Sequence, residues 1–190
     1  MESNNEQLDL KSLSLAQYEA LNDKEDVDVI LEFLTPLKEL IRANGEIIKC
    51  NEDSMSDFTF KDVIFFKNSL KEQNVNAVLF KMFDVKEEEL GDISVYSLTG
   101  VYKFITEEMD RILTNEKRLS SKKDSETWRE AGIERLEAYG EYANVFMLAG
   151  GLIYEDQILS MPYYRVFDYQ EISKDWNEIQ SKFNKIKNKS

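Results

Sequence analysis

Through most of the chain apolar residues return every three or four positions, and the interruptions of that rhythm mark where helices should end. Leu13, Leu15, Tyr18 and Leu21 share one face, with Ser14 placed to cap it. The acidic run from Asp23 leads into Val27, Ile30, Leu31 and Leu34, so two short helices are expected before Thr35. Pro36 suits the first turn of a third helix carrying Leu37, Leu40 and Ile41, and Asn44-Gly45 supplies a left-handed stop, which ends that helix near Ala43. Residues 46–50 fit a short strand or an extended connector. Thr59-Phe60-Lys61-Asp62 has the form of a capping box, and Phe60, Val63, Ile64, Phe66 and Leu70 predict a helix over 60–73.

Val75 to Phe83 is apolar enough for a buried helix or a strand; Ala77, Leu79 and Met82 favour the helix. A short helix follows over 85–90, with Gly91 as its stop. Val95, Leu98, Val101, Tyr102, Ile105, Met109, Ile112 and Leu113 then define one long amphipathic helix over 95–117. The polar stretch 118–124 reads as a linker or hairpin turn. Beyond it Ser125 can cap a helix over 126–149 whose buried stripe holds Trp128, Gly132, Leu136, Tyr139, Ala143 and Met147, closed by Gly150-Gly151. A short loop between two such helices predicts an αα-hairpin. Glu155 to Ser160 forms another short helix, Pro162 restarts the chain, and Ile172, Trp176, Ile179, Phe183 and Ile186 line one face of the last helix.

The fold expected from these segments is mainly α: an irregular multi-helix bundle with a long αα-hairpin (95–117 against 126–149) and room for a short strand pair in the middle. Residues 1–12 read as a flexible leader, 13–118 as an N-terminal helical region, and 125–190 as a C-terminal helical region with a partner-binding tail. The two regions are expected to pack as one domain.

Composition narrows the function more than the fold. The chain has 190 residues, 42% of them hydrophobic, and a net charge of −13, so its average surface repels phosphate backbones and anionic lipid. Neither nucleic acid nor a membrane is an expected partner, and the longest apolar run, Tyr142 to Tyr154, is too short to span a bilayer. There is no histidine and a single cysteine, Cys50, which excludes imidazole ligands, a Cys-His nucleophile pair and an internal disulfide. Cys50 reads as a small, partly buried residue. Glu107, Glu108 and Asp110, like Glu87, Glu88 and Glu89, read as solvated helix faces, because no second carboxylate cluster answers them. Ser54 and Ser56 have no base oriented towards them, and Gly150-Gly151 lacks the residues of a phosphate-binding loop. No catalytic residue, metal site or cofactor is therefore expected.

What remains is aromatic and apolar. Tyr163, Tyr164, Phe167 and Tyr169 crowd around Arg165, a composition common at interface hot spots, and Tyr154 lies close by in sequence. Core packing accounts for at least half of these side chains. The stripe of Trp176, Ile179 and Phe183 can pack on its own domain or dock into a partner's groove, and spacing does not separate the two. The set read as partner-binding is Tyr154, Tyr163, Tyr164, Arg165, Phe167, Trp176, Ile179 and Phe183.

Two stretches carry a family resemblance. Leu13-Ser14-Leu15-Ala16-Gln17-Tyr18-Glu19, with its acidic spacer and apolar helix, resembles the start of small tailed-phage proteins expressed beside tail and baseplate genes. Gly151 to Tyr163, with its glycine, aromatic, acidic, Ile-Leu and Met-Pro pattern, is similar to a segment near the end of phage tail assembly chaperones. The resemblance implies a small acidic helical protein in the host bacterial cytoplasm. Such a protein binds a tail component, such as a tape-measure or hub subunit, and shields its apolar segments before assembly. The family has no catalytic residues to transfer. This chain is longer than the compact members, with an insert-like middle over Met55–Asp92, which leaves open a structural role in the virion as a connector, tail or baseplate piece. A nucleotide-dependent enzyme or regulator is the third reading, without a motif to support it.

Overall fold

A computed structural model of the chain describes residues 10–21, 24–119 and 154–187, together with positions 135, 139, 143, 145, 148 and 149; the side chains of 180 and 182–187 fall outside the described set. The fold is mainly α with one short antiparallel strand pair. It divides into two compact units, residues 1–55 with 66–109, and residues 56–65 with 110–190.

In the first unit, α1 (Leu15–Glu19) opens on a complete capping box. Ser14 Oγ accepts from the Gln17 amide at 3.2 Å, and Gln17 Oε1 accepts from the Ser14 amide at 2.9 Å. Most of the expected leader over 1–12 lies outside the described residues; at its end Leu10 packs against the cluster of Leu13, Val27, Leu31 and Val95, and its carbonyl accepts from Ser94 Oγ. α2 (Glu25–Glu32) buries Val27 and Leu31. Ile30, expected on that face, points outward with Val29 and Phe33 instead. The geometry explains the change: Val27, Leu31 and Leu34 already complete one i, i+4, i+7 stripe.

The expected third helix is a β-hairpin. β1 (Glu39–Ile41) pairs antiparallel with β2 (Ile47–Lys49), placing Leu40 opposite Ile48 and Ile41 opposite Ile47. Asn44-Gly45 is therefore a hairpin turn, in which Gly45 adopts φ +87° and donates to the Arg42 carbonyl while Asn44 Oδ1 accepts from the Glu46 amide. Backbone partners far along the chain stabilise the extended form. The Ile41 amide donates to Ser97 Oγ, the Ser94 amide to the Ile41 carbonyl, and the Ala43 amide to the Asp92 carbonyl. A helix over 36–43 would leave fully buried Ser97 and its neighbours without these bonds.

α3 (Phe60–Lys71) begins where its sequence predicts: Thr59 Oγ1 accepts from the Asp62 amide, and Phe60, Val63, Ile64 and Phe66 are buried. It stops at Lys71, short of 73, because Gln73 turns left-handed at φ 60°. α4 (Val75–Phe83) is a buried helix capped by Asn74, and the expected 85–90 helix is a 3-10 turn over Glu87–Asp92. α5 (Val95–Leu119) matches the long amphipathic segment, adding buried Phe104 to the expected face while Leu113 lies at its edge. Both α3 and α5 contribute residues to the two units.

The expected partner helix over 126–149 and the Gly150-Gly151 stop lie outside the described residues except at scattered positions; of the expected loop over 118–124, Arg118 and Leu119 belong to α5 and the rest lies outside the described residues. Among the scattered positions, Val145 and Ala149 are buried, whereas Tyr139, placed by its spacing on the buried stripe, sits in an exposed turn. The chain then enters α6 (Glu155–Ser160) and α7 (Tyr163–Lys187).

Candidate functional site

Of the two acidic clusters, Glu87, Glu88, Glu107 and Asp110 are exposed, while one carboxylate of each is held within the fold. Glu108 accepts from Ser54 Oγ at 2.6 Å and from the Met55 amide at 3.0 Å, so it holds the 3-10 turn Met55–Asp57 in place. Glu89 is not a merely solvated residue: it accepts from Arg42 at 2.6 Å and from the Lys86 amide at 2.8 Å, and these bonds lower its carboxyl below the ordinary value. Arg42 Nε also lies 3.3 Å from Glu46, close enough for charge pairing without hydrogen-bond alignment. Among the described residues no group of three acidic or sulfur side chains can hold a metal ion. Burial pushes the Cys50 thiol up, away from the reactive thiolate. A cleft of about 350 Å³ in the first unit is lined by Lys11, Pro36, Leu37, Lys38, Glu39, Ile41 and Tyr96. Its cations are engaged, Lys11 over the Tyr96 ring and Lys38 with the Asp53 carbonyl.

In the second unit, α7 has a firmly seated beginning. Residues 58–60 run antiparallel to 161–163: the Phe60 amide donates to the Met161 carbonyl at 2.7 Å and the Tyr163 amide to the Phe58 carbonyl at 2.8 Å. Proline fits at 162 because its missing amide is not required by this pairing. The Tyr163 ring stacks between Phe60 and Phe167, at 5.9 and 6.2 Å, and its hydroxyl donates to Glu116 at 2.6 Å. Val166 is buried beside it in sequence. About two turns further along, Lys174 Nζ donates to the Arg118 carbonyl at 2.8 Å, satisfying one of the open carbonyls near the end of α5.

These residues define the inward face of α7. Tyr163, Val166, Phe167, Gln170 and Lys174 are its buried or half-buried positions, and at 100° per residue they cluster on one side of the helix. Tyr169, Ile172, Trp176 and Ile179 occupy the opposite side, about 180° away by the same geometry. They are exposed, Ile172 at 65% and Trp176 at 58%. A helix with an apolar stripe on each side, only one of them buried on its own unit, presents the other to whatever lies outside.

The sequence-derived partner-binding set is thus divided. Tyr163, 4% exposed, is a core residue and not an available surface, because its ring and hydroxyl are both used inside the unit. Phe167 is half-buried against it. Tyr154, Tyr164, Arg165, Trp176 and Ile179 are exposed, and Phe183 lies in the last turns of α7 with its side chain outside the described set. Tyr169 and Ile172 belong with Trp176 and were absent from that set. The signal for them is in the chain: from Tyr169 to Ile186 the spacing is strictly three, four, three, four, three. A second exposed apolar group, Val29, Ile30 and Phe33, lies on and just after α2 in the first unit.

No helix among the described residues is long and apolar enough to cross a membrane. No family model matches the chain, and neither a curated relative nor a solved structure matches it.

Proposed function

We propose that the chain is a non-enzymatic protein-binding module that acts as a tail or baseplate assembly chaperone of a tailed phage in the host bacterial cytoplasm. The observation that carries this reading is the outward face of α7, where Tyr169, Ile172, Trp176 and Ile179 stand exposed on a helix whose other side is locked to its own unit. Burying a large apolar side chain contributes about 1.5–3 kcal/mol, so several such side chains in a row are a strong adhesive for an apolar segment of another polypeptide. The rest of the protein is highly acidic, which keeps a carrier of apolar segments in solution. The resemblance of 13–19 and 151–163 to phage tail proteins supplies the class of client, a tape-measure, hub or other tail component.

Co-expression with candidate tail subunits tests this. Wild-type protein is expected to purify with one of them, and Trp176→Glu to lose it while remaining folded; failure of every tail subunit to co-purify would remove the proposal. A permanent structural subunit of the virion is the second reading, favoured by the same exposed stripe. Mass spectrometry of mature particles separates the two, since a chaperone is absent from them.

A further inference from the structure

We propose that in the free protein the outward face of α7 is closed by the same face of a second copy, with the two helices antiparallel. This rests on the reading of that face as a polypeptide-gripping surface and names what grips it before a client arrives.

The spacing points to a helical mate. Tyr169, Ile172, Trp176, Ile179, Phe183 and Ile186 repeat with the 3.5-residue period of a coiled-coil seam, not the broader 3.6-residue stripe of a helix lying on a globular core. In heptad terms Tyr169, Trp176 and Phe183 take the a positions, and Ile172, Ile179 and Ile186 the d positions. Lys174, which bonds to the Arg118 carbonyl, takes the f position, diametrically opposite the seam. The attachment of α7 to its own unit leaves the described members of the seam, Tyr169, Ile172, Trp176 and Ile179, exposed.

Charge selects the mate and its direction. Asp175 and Lys182 are successive g positions, and Ser173, Gln180 and Lys187 are e positions. When Trp176 of one copy packs across from Ile179 of the other in antiparallel order, Asp175 flanks Lys182 of the second copy, and symmetry makes the pair twice. A parallel pair sets Lys182 beside Lys187 of the second copy, a like-charge contact, and gives Asp175 only a neutral Gln180. The sequence of α7 is thus complementary to itself in one orientation.

Light scattering across a dilution series of the full chain, roughly 1 to 200 µM to bracket a micromolar equilibrium, reads the result. The expected mass moves from 22.2 kDa towards twice that value. Trp176→Glu should stay monomeric with its circular dichroism unchanged. Asp175→Lys should raise the dissociation constant about tenfold, since both symmetry-related pairs turn from attractive to repulsive, and the swap Asp175→Lys with Lys182→Asp should restore it. A monomer at every concentration, with helical content intact, overturns the self-pairing and leaves the gripping surface to its own co-purification test. A dimer indifferent to Trp176→Glu places the contact elsewhere and also overturns it. A dimer weakened by Trp176→Glu but strengthened by Lys182→Asp alone overturns the antiparallel order.

Discussion

The Tyr163 hydroxyl donates to a carboxylate oxygen of Glu116 at 2.6 Å, tying the first turn of α7 to the last turns of α5. The bond lies on the same side of α7 as the Phe60 stack, buried Val166 and the Lys174 contact, and together they mark that side as inward. Tyr163→Phe keeps the ring between Phe60 and Phe167 and removes only this bond. A hydrogen bond to a charged acceptor contributes about 1.5–3 kcal/mol, so urea unfolding should show a loss of that order. Tyr163→Ala also empties the stack and should cost about 3–5 kcal/mol, as large aromatic truncations do. Equal stability of wild type and Tyr163→Phe would show that the bond does not seat the helix.

Exposed positions of the same helix should behave oppositely. Ile172→Glu and Trp176→Glu leave every described internal contact in place, and at concentrations low enough for the wild type to be monomeric their unfolding free energies should lie within about 0.5 kcal/mol of it. Their binding to a tail subunit, read by co-purification or calorimetry, should be lost. A large loss of stability in either variant would mean that the outward face is part of the core.

Gly100 in α5 sets a local rule against a tertiary one. Alanine is normally better than glycine inside a helix by about 1 kcal/mol. Here a Cβ would lie 2.6 Å from Cγ and Cδ1 and 3.0 Å from Cβ of Leu37, whose amide donates to the Gly100 carbonyl. Gly100→Ala should therefore destabilise, by about 1–3 kcal/mol as overpacking does. Adding Leu37→Ala should recover part of that loss. If Gly100→Ala raised the denaturation midpoint, the close approach of the 35–38 segment to α5 would be wrong.

The Arg42–Glu89 pair makes a pH prediction. Arg42, and then the Lys86 amide, hold the Glu89 carboxyl below its ordinary 4.5. A folded value below the unfolded one means that the pair's contribution is complete above the unfolded value and disappears as pH falls through the folded one. NMR titration should place the Glu89 midpoint below 4.5 in wild type, and Arg42→Gln should move it back up. A wild-type midpoint at or above the ordinary value would show that the pair does not form in solution.

Where one helical period ran without a competing signal, the fold was legible in the residues. Thr59 to Phe66 announces α3, because cap and buried stripe agree, and Val95 to Ile112 announces α5 by its long apolar stripe. Residues 36–43 read as a helix because Asn-Gly ends helices and turns hairpins equally well, whereas 46–50 already admitted the strand found at Ile47–Lys49. What separates the two uses is Ser97 and Asp92, about fifty residues away, which hold Ile41 and Ala43 extended. Ile30 fits the α2 stripe as well as Val27 does by spacing, and only the packing of Val27, Leu31 and Leu34 leaves it outside. In α7 two stripes overlap in sequence: Tyr163, Val166 and Phe167 run into Tyr169, Ile172 and Trp176. Read as one apolar region they look like a single site, and only the Glu116 and Arg118 contacts show that the first three face inward and the last three outward.

Site-specific photo-crosslinking tests the central claim most directly: a photoreactive amino acid replaces Trp176 on the outward face or, as a control, Glu171, a c position away from the seam. Position 176 is expected to form a polypeptide adduct, with a second copy in the free protein and with a tail subunit on co-expression, at yields well above position 171. A folded protein that forms no adduct from position 176 in either setting would contradict the assignment of this face to gripping another chain.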